Sequence, residues 1–127
     1  MPILDVEIVT AAESADAPGL PADLAARLAD VAGVVFGTPA GRTWVRLRRL
    51  DGADYAENGG GPEPGVMPVF VTVLQLDPPD DGDLAAQVGA LARAIADATD
   101  RRVEHVHVLY EPPARGRIAF GGGPVRS

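Results

Sequence analysis

The sequence carries the order strand, helix, strand twice, with a glycine- and proline-rich segment between the two copies. In the first copy, apolar and polar residues alternate over residues 3–9 and 43–50, which predicts strands with one buried face. The second copy is predicted over residues 69–76, 80–99 and 103–110. Residues 59–65, Gly-Gly-Gly-Pro-Glu-Pro-Gly, fit neither a helix nor the interior of a strand, so this segment joins the copies.

The two copies also share residues, as an internal duplication would. Asp-Leu-Ala-Ala occurs at residues 23–26 and again at 83–86, and a proline precedes the first strand of each copy, at Pro2 and Pro68. A chain of 127 residues is long enough for one compact domain and too short for two ordinary ones. We therefore predict a single domain over residues 1–127, with pseudo-repeats at 2–61 and 68–123.

Each copy has the pattern of a βαβ unit, in which the two strands are parallel and the helix makes a right-handed crossover. The first helix is predicted with Pro21 in its first turn. Its apolar stripe comprises Leu20, Leu24, Leu28, Val31 and Val35. Two tandem βαβ units predict an α+β fold, with a four-stranded sheet and two helices on one face. The uncovered face carries Trp44 and favours association with other copies of the chain.

Composition excludes several classes of function. The chain has no cysteine, which removes disulfides, thiol nucleophiles and thiolate metal sites. A net charge of −7 argues against binding nucleic acid or an anionic membrane. The apolar runs are too short to span a bilayer, and the first residues show no secretory or transit signal. We expect a soluble, cytoplasmic protein.

The two ends of the chain carry a family resemblance. The sequence starts Met-Pro and runs directly into a strand, and residues 106–110, Val-His-Val-Leu-Tyr, are followed at 115–122 by Arg-Gly-Arg-Ile-Ala-Phe-Gly-Gly. With the duplicated units, this pattern resembles the tautomerase superfamily in its longer form, which includes macrophage migration inhibitory factor and 5-carboxymethyl-2-hydroxymuconate isomerase. The C-terminal segment after Tyr110, which we call the tail, is similar to 4-oxalocrotonate tautomerase. The resemblance covers almost the whole chain and implies a homotrimer with active sites between subunits.

The resemblance implies that Pro2 becomes the N-terminus when Met1 is removed, and that its amine moves a proton between an enol oxygen and a carbon. An N-terminal amine in water is mostly protonated at neutral pH, but an apolar pocket and nearby arginines lower its pKa. We expect Tyr110, Ile118 and Phe120 to form that apolar wall. The alternative is that Pro2 is only a processing signal at the start of an edge strand.

Arg46 and Arg48 are the candidate ligands for a substrate carboxylate. They are two residues apart on a predicted strand, so both project from the same face, where two guanidinium groups can hold one carboxylate. Alternatively, they form ion pairs in solvent with acids such as Asp54 or Glu57. Arg115 and Arg117 lie in the tail, where they either reach a neighbouring subunit's site or face water.

The chain also departs from the family pattern. Shorter tautomerases carry a carboxylate-binding arginine near the start of the first helix, where this chain has Ala12 and, in the second copy, Pro78. The second copy offers His107 as the counterpart of Arg46, so only the Pro2 half is expected to be catalytic. Residues 76–79, Leu-Asp-Pro-Pro, lack the arginine pair of the cis-3-chloroacrylic acid dehalogenases, which makes dehalogenation a poor hypothesis.

No metal or cofactor is expected. His105 and His107 would share a strand face, but a third ligand is missing. The acids at Asp80, Asp81 and Asp83 suit the first turn of a helix through its dipole alone. The glycine clusters lack the lysine of a phosphate-binding loop.

The leading hypothesis is a cofactor-independent tautomerase acting on a small 2-oxo or 2-hydroxydienoate acid. A hydratase or decarboxylase of a related small acid uses the same proline. From a different class, a non-catalytic trimeric interaction protein is the alternative, favoured by the missing arginine at the helix start.

Overall fold

The computed structural model describes residues 2–11, 20–63 and 65–124, and these form a four-stranded sheet with two helices. The main strands are β1 (Ile3–Thr10), β2 (Trp44–Asp51), β3 (Val69–Leu74) and β4 (Val106–Tyr110). The helices are α1 (Leu24–Phe36) and α2 (Asp81–Thr99). In the tail, β5 (Ala119–Phe120) pairs with β6 (Gly123–Pro124) as a short hairpin. The predicted α+β class and the order of the elements are confirmed.

The strand order is β2-β1-β3-β4, so the first strand of each βαβ unit lies in the middle of the sheet. β1 pairs with β2 in parallel, and β3 pairs with β4 in parallel. The two units meet through an antiparallel β1–β3 ladder in which Ile3 lies opposite Leu74. Each helix therefore makes the crossover between two parallel strands, as predicted.

Side chains alternate between the two faces of the sheet over most of each strand. On β1, the residues Leu4, Val6 and Ile8 are buried in the core with side chains of both helices. The alternate residues of the strand, Ile3, Asp5 and Glu7, are only partly buried. We call the face without helices the open face. It also carries exposed residues of the edge strands β2 and β4, which are Trp44, Arg46, Arg48, His107 and Leu109.

The helix–sheet layer forms a single core. Leu24 and Leu28 of α1, with Leu91 and Ile95 of α2, are at most 1% exposed. The first helix begins later than its apolar stripe suggested, because the backbone N–H of Leu24 donates to the Pro21 carbonyl in a preceding turn. Pro21 therefore lies before the helix and not in its first turn. None of the helices in the described ranges has the length and apolar content needed to cross a membrane.

Two predicted strands are shorter in the structure. Residues Val103–His105 form a 3₁₀ turn, closed by a hydrogen bond from the His105 N–H to the Arg102 carbonyl, so β4 starts at Val106. β3 ends at Leu74, although the Gln75 carbonyl still accepts a hydrogen bond from the Ala114 N–H at 2.9 Å. Apolar periodicity continues through both ends, and local hydrogen bonding decides where the strand stops.

The end of α1 generates the first prediction. Gly37 adopts φ +66°, a left-handed conformation, and its N–H donates to the Gly33 and Val34 carbonyls. Since a Cβ at Gly37 would meet nothing within 4 Å, only the backbone angle opposes a side chain there. We expect Gly37→Ala to lower the free energy of unfolding by about 1 kcal/mol in denaturant titrations.

The matched control is Gly82→Ala, at the second residue of α2, where φ is ordinary and the space is also open. That substitution should leave stability unchanged or raise it, since alanine favours the helix. An equal loss from both substitutions would show that the left-handed turn at Gly37 is not the cause.

Candidate active site

Pro2 lies at the end of the sheet where β1 and β2 begin and β3 and β4 finish. Its carbonyl accepts a hydrogen bond from the Trp44 N–H at 3.1 Å, which continues the parallel β1–β2 ladder by one step. Pro2 is among the fully buried residues, with less than 2% of its surface exposed. Alternation from Leu4 places its ring on the helix side of the sheet. Met1 and Ala12 lie outside the described residues.

The tail brings one predicted wall residue beside this end of the sheet. Phe120 in β5 contacts the Trp44 indole edge to face, with 5.5 Å between the ring centroids and 89° between the planes. The Trp44 Nε1 donates to the Gly41 carbonyl at 3.0 Å, which fixes the indole. A cavity of about 370 Å³ opens against this pair, lined by Thr38, Pro39, Arg42, Trp44 and Phe120.

Tyr110 and Ile118 lie at the same end of the sheet but in different surroundings. Tyr110 ends β4 on the helix side, packs against the core, and donates its hydroxyl hydrogen to the Gln87 Oε1 of α2. Burial raises the pKa of the Tyr110 phenol above its usual value. Ile118 lines a separate cavity of about 170 Å³ with Leu74 and Ala114. Within the chain, the three predicted wall residues lie around the Pro2 end of the sheet without forming a single pocket.

Arg46 points to the open face and is held by Asp5 of the neighbouring strand. Its Nε donates to Asp5 Oδ1 at 2.6 Å, and its Nη2 donates to Asp5 Oδ2 at 2.9 Å, so the contact has two hydrogen bonds. The hydrogen bond to Asp5 raises the pKa of the Arg46 guanidinium. The acids suggested from the sequence, Asp54 and Glu57, are not this partner; Glu57 instead accepts from the Tyr55 hydroxyl. The β1–β2 register brings Asp5 opposite Arg46.

Arg48 lies on the same open face, two residues along β2, as its spacing predicted. It is exposed and lies opposite Glu7 in the strand register. Both arginines therefore face an acid of β1 across the ladder. A small cavity of about 180 Å³ borders Arg46 on this face, lined by Ile3, Asp5, Arg46, Thr72, Leu74 and Glu111.

An ion pair between Arg115 and Asp77, which we did not predict from the sequence, joins the tail to the loop after β3. The Arg115 Nε lies 2.8 Å from both carboxylate oxygens of Asp77. The hydrogen bonds from Arg115 lower the pKa of the Asp77 carboxyl. Arg115 is thus paired within the chain and not simply facing water, while Arg117 lines the Ile118 cavity. Only the fold brings these distant residues together, so the sequence carried no signal for the pair.

The histidines do not form the shared strand face that we predicted. His105 belongs to the 3₁₀ turn, whereas His107 lies on β4 with its ring 5.4 Å from the ring of Phe70. Among the described residues, no group of three or more His, Cys, Asp or Glu side chains is placed to hold a metal ion.

The sequence matches no known family profile and no curated protein. Its likeness to known proteins is in structure. A fused 4-OT symmetric trimer superposes with a TM-score of 0.68 at 21% identity, covering 95% of this chain and 93% of that one. Macrophage migration inhibitory factor from Oncomelania hupensis gives 0.67 at 20% identity, covering 96% and 80% respectively.

A third similar structure is FG41 malonate semialdehyde decarboxylase inhibited by 3-bromopropiolate. It superposes with a TM-score of 0.64 at 14% identity, over 94% of this chain and 88% of that one. All three proteins are members of one superfamily, the tautomerases. Over nearly its whole length, the chain therefore shares the fold of these three proteins, as the resemblance of its ends and its duplicated units predicted.

Proposed function

We propose that this chain is a cofactor-independent tautomerase that interconverts the enol and keto forms of a small 2-oxo or 2-hydroxydienoate acid. In this proposal Met1 is removed and the Pro2 amine carries the proton between the enol oxygen and the carbon. The observation that carries the proposal is the burial of Pro2 at the start of β1, in a fold shared with 4-OT.

Burial gives the proline the property that the reaction needs. A secondary amine in water is protonated at neutral pH and is a poor base. Inside a protein the charged form loses hydration, which lowers the pKa of an amine. Pro2 is fully buried, and its carbonyl is held by a hydrogen bond from the Trp44 N–H of β2. A free amine there would be available as a base near pH 7.

The open face supports assembly into a homotrimer, the state of the fused 4-OT structure. Its charges are balanced across the β1–β2 ladder, with Asp5 opposite Arg46 and Glu7 opposite Arg48. Exposed apolar side chains accompany them, including Trp44 at 41% and Leu109 at 64% exposure. Burying these charges against another copy would cost hydration, although each lies opposite a partner, so the exposed apolar side chains supply the gain from association.

Assembly would also complete the substrate site. Within one subunit, Arg46 and Arg48 lie on the open face, whereas the Pro2 ring lies on the helix side. We propose that these arginines bind the substrate carboxylate in a site that two subunits share. Tyr110, Ile118 and Phe120 would supply the apolar wall. Because Asp5 already occupies the Arg46 donors, the substrate carboxylate must replace Asp5 or share the guanidinium with it.

A second candidate is decarboxylation of a related small acid, supported by the likeness to FG41 malonate semialdehyde decarboxylase. That enzyme is inhibited by 3-bromopropiolate, a carboxylate attached to an electrophilic alkyne. A free Pro2 amine is a nucleophile able to add to such a triple bond, so the compound is a probe for the proposed site. Hydration catalysed by the same amine is a third candidate, and a trimer without catalysis is the candidate from outside the enzymes.

Removal of Met1 gives the most discriminating prediction. While Met1 is attached, the Pro2 nitrogen is a tertiary amide with neither a basic lone pair nor an N–H. We expect protein treated with methionine aminopeptidase to convert phenylenolpyruvate or 2-hydroxymuconate, and the Met1-retaining form to be inactive. Spectrophotometric assays and the intact mass should be recorded on the same samples.

The matched variant is Pro2→Ala, which replaces the secondary amine with a primary amine of different basicity and fit. It should lower tautomerase activity by at least about tenfold and leave assembly unchanged. Equal turnover by the Met1-retaining and processed proteins would refute the proline mechanism. Turnover of malonate semialdehyde alone would favour the decarboxylase.

Substitutions of Arg46 and of its partner Asp5 test whether Arg46 binds the substrate carboxylate. Losing a charge-assisted contact made to substrate should lower kcat/KM by about ten- to a hundredfold in Arg46→Ala. Asp5→Asn frees the same guanidinium, so it should preserve kcat/KM or raise it. Steady-state kinetics would distinguish the two variants.

Light scattering on both variants serves as the control, with a mass near three times 13.1 kDa expected for each. If both substitutions lower kcat/KM equally while the mass is unchanged, the ion pair matters only for structure and Arg46 does not bind substrate.

A further inference from the structure

The side-chain carbonyl oxygen of Gln75, Oε1, is buried and lacks a hydrogen-bond donor among the residues that the structure describes. A buried carbonyl without a donor bears the cost of its lost hydration. The other such atom, Thr10 Oγ1, lies at the opposite end of β1 next to residues outside the described ranges. Gln75 lies at the Pro2 end.

The β1–β3 register, extended by one residue at its end, brings Gln75 opposite Pro2. The β1–β3 ladder pairs Leu4 with Val73 and Ile3 with Leu74, so one further step sets Pro2 opposite Gln75. Gln75 is the first residue after β3, and its backbone carbonyl accepts a hydrogen bond from the Ala114 N–H in the segment after β4. Alternation puts Pro2 and Gln75 on the same helix side as Leu4 and Val73. Directly opposed residues have Cβ atoms about 4.5–5.5 Å apart, a gap that a glutamine side chain spans.

We propose that the Gln75 side-chain carbonyl accepts a hydrogen bond from the Pro2 amine of the processed chain and thereby positions the proline nitrogen. The inference rests on the removal of Met1 in the proposed function. Before removal, the Pro2 nitrogen has no hydrogen to donate. Afterwards it has one N–H when neutral and two when protonated. Processing thus creates a donor opposite the carbonyl that lacks one.

Several polar groups near Gln75 are already paired with one another, so Gln75 is the candidate acceptor for the Pro2 amine. The charged or titratable residues at this end of the sheet include Arg42, Asp77, Asp80, Asp81, Asp83, Tyr110, Glu111, Arg115 and Arg117. Asp77 and Arg115 are paired with each other, and the Tyr110 hydroxyl donates to Gln87. Thr43, which precedes Trp44 on β2, shares a hydrogen bond with the Thr38 hydroxyl. A hydrogen bond from the Pro2 amine to the Gln75 carbonyl favours the protonated amine, so it opposes the effect of burial on the Pro2 pKa.

The test is a titration of the Pro2 nitrogen by NMR in processed protein labelled with ¹⁵N-proline, without substrate. Gln75→Leu removes the acceptor and should lower the Pro2 pKa by about half a unit or more. Gln75→Glu, nearly equal in shape, adds a negative charge and should raise it. Gln87→Leu changes the other glutamine, which binds Tyr110, and should leave the Pro2 pKa unchanged.

Melting temperatures before and after removal of Met1 give a second readout. Gln75→Leu should destabilise the processed form, which loses a hydrogen bond. The same variant should leave the Met1-retaining form unchanged or stabilise it, since there it removes only an unpartnered carbonyl. Equal shifts in both forms, or a Pro2 pKa that neither Gln75 variant moves, would overturn the proposal. Because neither readout uses substrate, a missing tautomerase activity would overturn the proposed function alone.

Discussion

The two-residue alternation of β1 is the constraint on which the rest of the structure depends. β1 is central and pairs on both sides, so its register sets the positions of β2 and β3. Its even-numbered residues, Leu4 to Ile8, are buried under the helices. Its odd-numbered acids face arginines of β2 on the open face. The burial of Pro2 follows from the same parity, because it continues the buried series to the end of the strand.

Periodicity was sufficient to predict the α+β fold, the order of the elements and the face on which Arg46 and Arg48 lie. It failed where local hydrogen bonding decides the outcome, as at His105, which sits in a 3₁₀ turn and not on β4. The Asp5–Arg46 pair joins residues 41 positions apart, so finding it required the register of two strands. The unpartnered carbonyl of Gln75 is defined only by its surroundings, which no sequence pattern encodes.

Two effects on the pKa of the Pro2 amine oppose each other at its end of the sheet. Burial disfavours a charged amine, while an accepting carbonyl such as that of Gln75 favours it. The nearby Asp77 is held by Arg115 in a two-point contact, so the pair adds little net charge. The same balance recurs on the open face, where each acid of β1 lies opposite an arginine. In our proposal, the basicity of the Pro2 amine is therefore set by burial and by one neutral hydrogen bond.

The central claim is that a free Pro2 amine is the reacting group of a site shared between subunits. The most direct measurement is a crystal structure of the processed protein after incubation with 3-bromopropiolate. We predict a covalent bond from the Pro2 nitrogen to the three-carbon acid, with the carboxylate against Arg46 or Arg48 of an adjacent copy in a trimer. An unmodified Pro2, or an adduct on another side chain, would contradict it.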